Sequence, residues 1–253
     1  MRIISWNVNG IRAALKKGFY DKIAEFGADI IGVQETKAQT GQVLDLGQNL
    51  AGYYCYASSA QRAGYSGVAL FSKLEPQKIV TSLNDDDFDR EGRIIAAFYN
   101  NFLLLNVYFP NGSGKNGDNS RVPYKLAFYD ALFAFADQYQ GPKLVMGDFN
   151  IAHQEIDLAR PKENTNTSGF LAIERQCFSR ILERGYTDTF RYFNPSSQLY
   201  SYWNMRFKSR ERNVGWRIDG VLANQEALPL VKNAFIWPEI AGSDHCPVGI
   251  ELY

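Results

Sequence analysis

Nine short apolar runs, separated by polar turns and helical stretches, constrain the fold more than any other feature of this sequence. The runs are rich in Ile, Val, Phe and Tyr and are bounded by turn residues, as β-strands are. They are Arg2–Trp6, Asp29–Val33, Gly67–Phe71, Gln77–Ser82, Ile94–Tyr99, Phe102–Tyr108, Leu144–Met146, Ile218–Leu222 and Val248–Leu252. Several follow one another directly between residues 67 and 108, which favours antiparallel pairing.

Three stretches between these runs have the apolar spacing of amphipathic helices. In Pro123–Tyr139 the apolar residues recur at i, i+3 and i+4, and Phe170–Arg184 shows the same pattern. Phe19–Phe26 is a shorter amphipathic segment. Together with the consecutive strands, these helices predict an α/β sandwich with predominantly antiparallel pairing, not a regular parallel βαβ fold.

The length and composition are those of a globular chain. Its 253 residues include 45% apolar and 21% charged residues, which excludes disordered, collagenous and coiled-coil chains. No linker rich in Pro, Ser or Gly divides the sequence, and Asn111–Asn119 is expected to form one exposed loop. We therefore expect a single domain over residues 1–253.

Cysteine content and hydropathy exclude two further classes. Cys55, Cys177 and Cys246 have no CxxC spacing, so neither a disulfide framework nor a cysteine-rich zinc site is expected. The sequence has no signal peptide and no apolar stretch of ~20 residues. These features predict a soluble, intracellular protein that makes no membrane contact, and we separately expect it to be cytoplasmic and monomeric.

The charges balance overall but are unevenly distributed. Lys plus Arg and Asp plus Glu each number 27, so there is no overall basic field for nucleic acid. However, Arg206–Arg217 contains five basic residues and one acid, and Asp85–Glu91 contains five acids and one base. A local basic rim beside an acidic pocket is therefore expected.

Polar residues of a particular kind stand at the ends of six of the apolar runs or in the adjoining loops. The six groups are Trp6-Asn7, Gln34-Glu35, Tyr108-Phe109-Pro110-Asn111, Gly147-Asp148-Phe149-Asn150, Arg217-Ile218-Asp219 and Ser243-Asp244-His245. Ligands of open α/β sheets bind at the carboxyl ends of strands. The pattern therefore predicts one convergent polar site.

The candidate side chains supply mostly oxygen atoms, with one histidine among them. They are Asn7, Asn9, Glu35, Tyr108, Asp148, Asn150, Asp219, Asp244 and His245. Oxygen donors suit Mg²⁺ or Mn²⁺, whereas zinc would need more than the two histidines of this chain. The sequence lacks GxSxG, GxxxxGK[ST] and GxGxxG motifs, which leaves serine hydrolases and nucleotide-binding loops unsupported. A divalent cation and a histidine held by an aspartate favour hydrolysis of a phosphate ester.

Eight motifs occur in order across nearly the whole chain. They are SWNVNGIR (Ser5–Arg12), QETK (Gln34–Lys37), GYSGVALFSK (Gly64–Lys73), EGR (Glu91–Arg93), VYFPNG (Val107–Gly112), GDFNIAHQEIDL (Gly147–Leu158), NVGWRID (Asn213–Asp219) and GSDHCPV (Gly242–Val248). Together they resemble the exonuclease III family of apurinic/apyrimidinic (AP) endonucleases. The resemblance implies a four-layer α/β sandwich, in which two stacked mixed β-sheets are flanked by helices.

The same resemblance implies an activity and a substrate. A member of this family would cleave the backbone of double-stranded DNA 5′ to abasic sites in base excision repair, using Mg²⁺ or Mn²⁺. The products would be a 3′-hydroxyl and a 5′-deoxyribose phosphate. Exonuclease activity in the 3′–5′ direction and 3′-phosphodiesterase activity on blocked 3′ ends accompany it.

The resemblance also assigns roles to residues. Glu35 corresponds to the principal metal ligand, helped by Asn7, and Asp244 to a second ligand. The implied metal site is Asn7, Glu35, Asp148, Asn150, Asp244 and His245. The implied catalytic residues are Tyr108 and His245 on the phosphate, Asp219 orienting the histidine, Asp148 on the attacking water, and Asn150 beside it.

Two groups of residues are expected to contact DNA. The aromatic side chains of Tyr202, Trp203 and Trp216 would form a pocket for an extruded abasic deoxyribose. The basic side chains of Arg206, Lys208 and Arg210 would bind phosphates, with Phe207 interleaved among them.

Alternatives remain at this point. One is a relative specialised for trimming 3′ ends, a distinction that His153 or the loop Asn164–Ser168 would decide. A superfamily phosphatase acting on phosphoinositide or sphingomyelin would share the site chemistry but lack the NVGWRID and aromatic-loop features. A DNA-binding protein without activity is disfavoured, since no catalytic position is visibly substituted.

Overall fold

The computed structural model describes residues 1–196, 198–206 and 208–253. Its strands are β1 (Arg2–Asn7), β2 (Ile30–Gln34), β3 (Tyr54–Ser58), β4 (Val68–Ser72), β5 (Lys78–Val80), β6 (Ile94–Phe98), β7 (Leu103–Tyr108), β8 (Lys143–Asp148), β9 (Tyr186–Asp188), β10 (Asp219–Asn224), β11 (Val231–Ile236) and β12 (Val248–Leu252). Its helices are α1 (Ile11–Leu15), α2 (Phe19–Phe26), α3 (Thr40–Gly47), α4 (Asp86–Asp89), α5 (Val122–Asp137), α6 (Ala172–Glu183) and α7 (Thr189–Phe193). Within the described residues, no helix is both long and apolar enough to span a membrane.

The strands form two six-stranded mixed sheets within the described part of the chain. The first has the order β11-β12-β1-β2-β4-β3, and the second has the order β5-β6-β7-β8-β10-β9. Only the pairs β1–β2 and β7–β8 are parallel among the described pairings, and the other pairs are antiparallel. The predicted α/β sandwich with predominantly antiparallel pairing is confirmed.

Three apolar clusters separate four layers. The central cluster lies between the sheets and includes Leu70 from the first sheet and Leu104 from the second. On the outer face of the first sheet, Phe19 and Ile23 of α2 pack over its strands. On the outer face of the second sheet, α5 and α6 contribute Phe128 and Phe178, among others. This is the predicted arrangement of two stacked sheets flanked by helices.

Buried hydrogen bonds also connect the two sheets. The Gln34 amide of β2 donates to Ser5 Oγ at 2.9 Å and to Asn106 Oδ1 of β7 at 2.6 Å. The Asn106 amide donates back to the first sheet, to the Ala69 carbonyl at 2.8 Å. Because unpaired buried polar groups are costly, these bonds fix how one sheet lies on the other.

The sequence pattern missed three strands, and each lies at or near a sheet edge. β3 is half-exposed, β9 has only three residues, and β11 contains a register shift between Val231 and Asn233. Edge strands bury one face at most and therefore carry a weaker apolar pattern. The three predicted helices are present, with bounds that differ by at most two residues.

Candidate active site

Six polar groups converge because of how the strands are paired. β1 and β2 run parallel, so Asn7 and Glu35 lie at the same end of their strands in the first sheet. β12 is antiparallel to β1, so the segment that precedes β12 also reaches that end. In the second sheet β7 and β8 are parallel, and the antiparallel β10 begins where β8 ends, with Asp219 opposite Asp148. Two of the six groups therefore precede a strand instead of ending one.

These ends surround an open cavity of about 510 Å³. Nine of the predicted residues line it: Asn9, Glu35, Tyr108, Asp148, Asn150, Tyr202, Trp216, Asp244 and His245. Asn7 and Asp219 lie behind this lining layer and are buried. The predicted convergence of the polar groups into one site is therefore present in the structure.

His245 is held by a buried carboxylate. Its Nδ1 lies 2.8 Å from Asp219 Oδ2, and the same oxygen accepts a 2.6 Å hydrogen bond from Ser201 Oγ. Burial of the ring opposes its protonation, but the charges of Asp219, Asp148 and Asp244 outweigh it and raise the pKa of His245 to about 10. The ring is therefore an imidazolium at neutral pH, with Nε2 directed at the cavity side, 4.0 Å from Asp148 Oδ2.

Asp148 is fixed on both oxygens. Oδ1 accepts the Asn150 backbone N–H at 2.9 Å. Oδ2 accepts the side-chain amides of Asn7 at 2.9 Å and of Asn150 at 3.2 Å. Burial and the nearby charge of Asp219 raise the pKa of Asp148 to about 7, although His245 and the hydrogen bonds act in the opposite direction. A cation in the cavity would favour the carboxylate form, which is the form able to accept a proton.

Glu35 directly follows β2 and has a left-handed backbone conformation, with φ of 57°. Its Oε2 accepts the Asn7 amide at 3.2 Å, and Oε1 forms an ion pair with Lys37 Nζ at 2.9 Å. Asp244 Oδ1 is held in turn by the Asn9 amide at 3.0 Å. Amide donors thus orient carboxylates from both sheets around the cavity.

The donor set fits a hard divalent cation. Glu35, Asp148 and Asp244 all line the cavity and supply carboxylate oxygens, the ligands that Mg²⁺ and Mn²⁺ favour. Ligand atoms of Asp148, Asp219 and His245 also lie within 4.8 Å of one another. A cation held by those three would compete with the His245–Asp219 hydrogen bond, whereas Glu35 could hold one without breaking that bond.

Two residues of the EGR motif, Glu91 and Arg93, support Tyr108 at the edge of the cavity. Arg93 lies over its ring, with Cζ 4.7 Å from the ring centroid, and donates to its carbonyl at 2.8 Å. Arg93 is in turn paired with Glu91 at 2.6 Å. Burial raises the pKa of Tyr108 well above its ordinary value, so its phenol stays protonated and is able to donate.

The aromatic side of the cavity is formed by Tyr202 and Trp216, which are bridged as two extended segments. The Tyr202 ring lies 4.7 Å from the His245 ring. Ile218 also lines this side, a residue that the sequence pattern missed although it lies within the NVGWRID motif. These three side chains form an apolar surface next to the charged groups.

The prediction that Trp203 forms part of this surface is wrong. Trp203 is 2% exposed, its Nε1 donates to Asn213 Oδ1 at 3.2 Å, and Arg210 stacks on its other side. Adjacent residues of an extended segment point to opposite faces, so only Tyr202 of this pair faces the cavity.

The basic run is divided by the structure into two parts. Arg206 and Lys208 are exposed, and Lys208 pairs loosely with Glu211 at 3.4 Å. Arg210 donates instead to the carbonyls of Ser243, Pro238 and Ile240. Phe207 lies outside the described residues.

Arg217, at the end of that run, does not belong to a basic rim. Its guanidinium is buried and pairs with Asp157 and Asp188, both at 2.8 Å. A buried guanidinium needs such partners, and this pair of bonds positions the strand that carries Asp219.

The two places named for the choice between endonuclease and 3′-trimming activities are separated in the structure. Asn164, Thr167 and Ser168 of the loop line the cavity. His153 does not line it, since its Nε2 lies 2.8 Å from Ser179 Oγ on the side of α6. Of the two, only the loop borders the cavity.

Comparisons with known proteins agree with this geometry. A model described as the endonuclease/exonuclease/phosphatase family matches residues 4–245. An exodeoxyribonuclease of Bacillus subtilis is 42% identical, with 98% of each chain covered. A DNA-(apurinic or apyrimidinic site) endonuclease of Dictyostelium discoideum is 35% identical, with 99% of this chain and 70% of that protein covered. The solved structure of the 3′ phosphatase NExo from Neisseria bound to product DNA hairpin is 28% identical with a TM-score of 0.91, and 100% of this chain and 99% of that one are covered.

Proposed function

The chain belongs to the endonuclease/exonuclease/phosphatase family, and from this premise we propose that it is a DNA-repair nuclease that cleaves the DNA backbone 5′ to abasic sites. One observation supports this proposal most directly. A buried His245–Asp219 pair, three cavity-lining carboxylates and an apolar wall of Tyr202 and Trp216 share a single cavity. The charged part suits a phosphodiester, and the apolar wall suits a sugar that has no base.

The cation would supply charge. Mg²⁺ or Mn²⁺ held by Glu35, with Asp244 and Asp148 nearby, would polarise a phosphoryl oxygen and offset the charge on the leaving oxygen. Asn7 orients Glu35 and Asp148 toward this position through its amide.

The protein's own groups would perform the remaining steps. The protonated His245 donates from Nε2 to a non-bridging phosphate oxygen, where charge grows in the transition state. Asp219 keeps that proton in place, and the phenol of Tyr108 donates to a second oxygen. Asp148, held by Asn150, accepts a proton from the attacking water. The water oxygen bonds to phosphorus as the bond between phosphorus and the 3′ oxygen breaks, and the leaving 3′ oxygen takes a proton from solvent. The products are a 3′-hydroxyl and a 5′-deoxyribose phosphate.

Substrate selection would depend on the apolar wall. An abasic nucleotide has already lost its pairing and stacking, so it costs less to extrude from the duplex than an intact one. The rings of Tyr202 and Trp216, with Ile218, would pack on the extruded deoxyribose, while an attached base would collide with them. Arg206 and Lys208 would contact phosphates of the flanking duplex, and the protein would act on DNA as a monomer.

Removal of blocking groups at 3′ ends is the second candidate. It needs the same phosphate chemistry without extrusion of a nucleotide, and the Neisseria structure that this chain resembles is a 3′ phosphatase with product DNA. The loop that includes Asn164, Thr167 and Ser168 bears on this choice, because it lines the cavity beside the aromatic wall.

Matched duplexes separate these functions. One carries an abasic analogue and the other a nick with a 3′-phosphate, and each is incubated with Mg²⁺ and with chelator. The proposal predicts Mg²⁺-dependent incision 5′ to the abasic site, and removal of 3′-phosphate alone would favour the second candidate.

Variants of the apolar wall test how the abasic site is selected. Tyr202→Ala and Trp216→Ala should lower the ratio of cleavage at abasic sites to cleavage at normal nucleotides. Tyr192→Ala, which removes an exposed aromatic ring outside the cavity, is the matched control. An unchanged ratio in both wall variants would place selectivity elsewhere.

A further inference from the structure

Lys125 of α5 and Glu174 of α6 form a fully buried ion pair behind the active site. Lys125 Nζ lies 2.5 Å from Glu174 Oε1, and both side chains are 0% exposed. Neither residue lines the cavity. The pair nevertheless contacts, through the backbone, two segments that do line it.

On one side, the ammonium group holds the segment that carries Asp148. Lys125 Nζ donates to the Asn150 carbonyl at 2.7 Å. Asn150 has a left-handed backbone with φ of 53°, and both its backbone N–H and its side-chain amide donate to Asp148. The ammonium therefore fixes a residue whose own donors fix the carboxylate.

On the other side, the carboxylate holds the neighbouring segment, residues 168–171. Glu174 Oε2 accepts the backbone N–H groups of Gly169 at 2.6 Å and Leu171 at 3.2 Å. Its Oε1 accepts Ser168 Oγ at 3.0 Å. Gly169 packs so closely that a Cβ there would lie 3.3 Å from the ring of Trp216.

We propose that the Lys125–Glu174 pair is a positioning pair that sets the spacing between Asp148 and the cavity wall formed by residues 168–169 and Trp216. The inference rests on the proposed function, since it assigns this spacing to the attack of water on a bound abasic nucleotide. The pair acts through Asn150 and Gly169 and contacts no reacting atom.

Stability alone is a poor explanation for such a pair. Apolar residues of similar volume often replace a buried ion pair with no loss of stability, or with a gain, because desolvation of the two charges offsets their attraction. Apolar side chains in α5 and α6 would pack the helices together equally well. They would not form hydrogen bonds with the Asn150 carbonyl and the Gly169 N–H. What the two charged groups add is therefore the placement of these two loops.

The test compares a double variant with a control in the same layer. Lys125→Met with Glu174→Gln removes both charges and keeps the side-chain sizes, so that no single buried charge is stranded. The control is Ile181→Ala, which shortens a buried apolar side chain of α6 and leaves the Lys125–Glu174 pair in place. If the double variant fails to fold, as judged by circular dichroism, Lys125→Leu with Glu174→Gln takes its place.

Three readouts are needed: the cleavage rate, the affinity for DNA and hydrogen exchange. In single-turnover cleavage of an abasic duplex with Mg²⁺, the double variant should be about 10–100-fold slower, because small displacements of reacting groups are costly. Its dissociation constant for the duplex should change less than threefold, and Ile181→Ala should keep the wild-type rate. Hydrogen exchange of the peptide that contains Gly169 and Leu171 should be faster in the double variant alone.

The outcomes separate this inference from the proposed function. A wild-type cleavage rate in the folded double variant would overturn the positioning role, and unchanged exchange would overturn the tether itself. An equal rate loss in Ile181→Ala would show that general loosening is responsible, which also overturns the inference. Failure of the wild-type protein to cut abasic DNA, with exchange still dependent on the pair, would instead refute the proposed function.

Discussion

Replacement of Asp219 by Asn should make the enzyme sensitive to pH in the neutral range. Asp219 supplies the two largest contributions that raise the pKa of His245, its charge and its hydrogen bond. The substitution keeps the size of the side chain, removes the charge, and leaves at most a neutral hydrogen bond to the ring. Burial, the largest influence, still lowers the pKa of His245, while the charges of Asp148 and Asp244 still raise it, so we expect the pKa to fall from about 10 toward its ordinary value.

The expected loss follows from the fraction of protonated imidazole. With a pKa of about 10, His245 is almost fully protonated at pH 7.5. With a pKa near the ordinary value, about a tenth of the rings carry the proton at that pH. Asp219→Asn should therefore be about tenfold slower than the wild type at pH 7.5, and this difference from the wild type should shrink as the pH falls toward 6.

Single-turnover cleavage of an abasic duplex between pH 6 and 9, with DNA affinity measured separately, checks this prediction. His245→Asn should lose about 10²–10⁴-fold at every pH, and the double variant should be little worse, because the two residues act as a unit. Asp137→Asn, an exposed aspartate outside the cavity, is the matched control. Additive losses, or a pH profile in Asp219→Asn that parallels the wild type, would refute the reasoning.

Three further predictions concern the cation, the fold and DNA. Glu35→Gln should need a higher Mg²⁺ concentration for half-maximal cleavage, and wild-type dependence in a Mg²⁺ titration would remove Glu35 as the main ligand. Gly147→Ala should lower the free energy of unfolding, measured by urea titration, by about 3 kcal/mol, because Gly147 has φ of 150° and an added Cβ would overlap the Val107 carbonyl. A loss below ~1 kcal/mol would contradict this prediction. Lys208→Ala should weaken DNA binding and flatten its dependence on salt, whereas an unchanged slope would show that Lys208 does not contact phosphate.

The sequence predicted the parts of the fold that have strong periodic patterns. α2, α5 and α6 each bury one apolar face, and the central strands are buried on both faces, so their patterns are clear. β3 and β11 lie at sheet edges, where half-exposed or bulged strands carry mixed residues. Family membership, predicted from eight motifs, is confirmed by the comparisons.

The site was predictable where its residues directly flank strands. Glu35, Asp148 and Asp244 could be placed together because they lie next to strand ends, and the pairing of the strands brings these ends together. The orientation of Trp203 was not predictable, because it depends on which face of an extended segment packs inward. The sequence also could not predict the ion pairs of Arg217 with Asp157 and of Lys125 with Glu174, because these residues come into contact only through tertiary packing.

The distribution of the two sheets along the chain has a consequence for synthesis. The first sheet is completed by β11 and β12, although its other strands come from residues 2–72. Asp244 and His245 precede β12, and the bond from His245 to Asp219 joins this late segment to the second sheet. A chain emerging from the ribosome therefore lacks its imidazolium until β12 is made and docked beside β1. A nuclease built in this order gains a complete active site only after β12 has paired with β1.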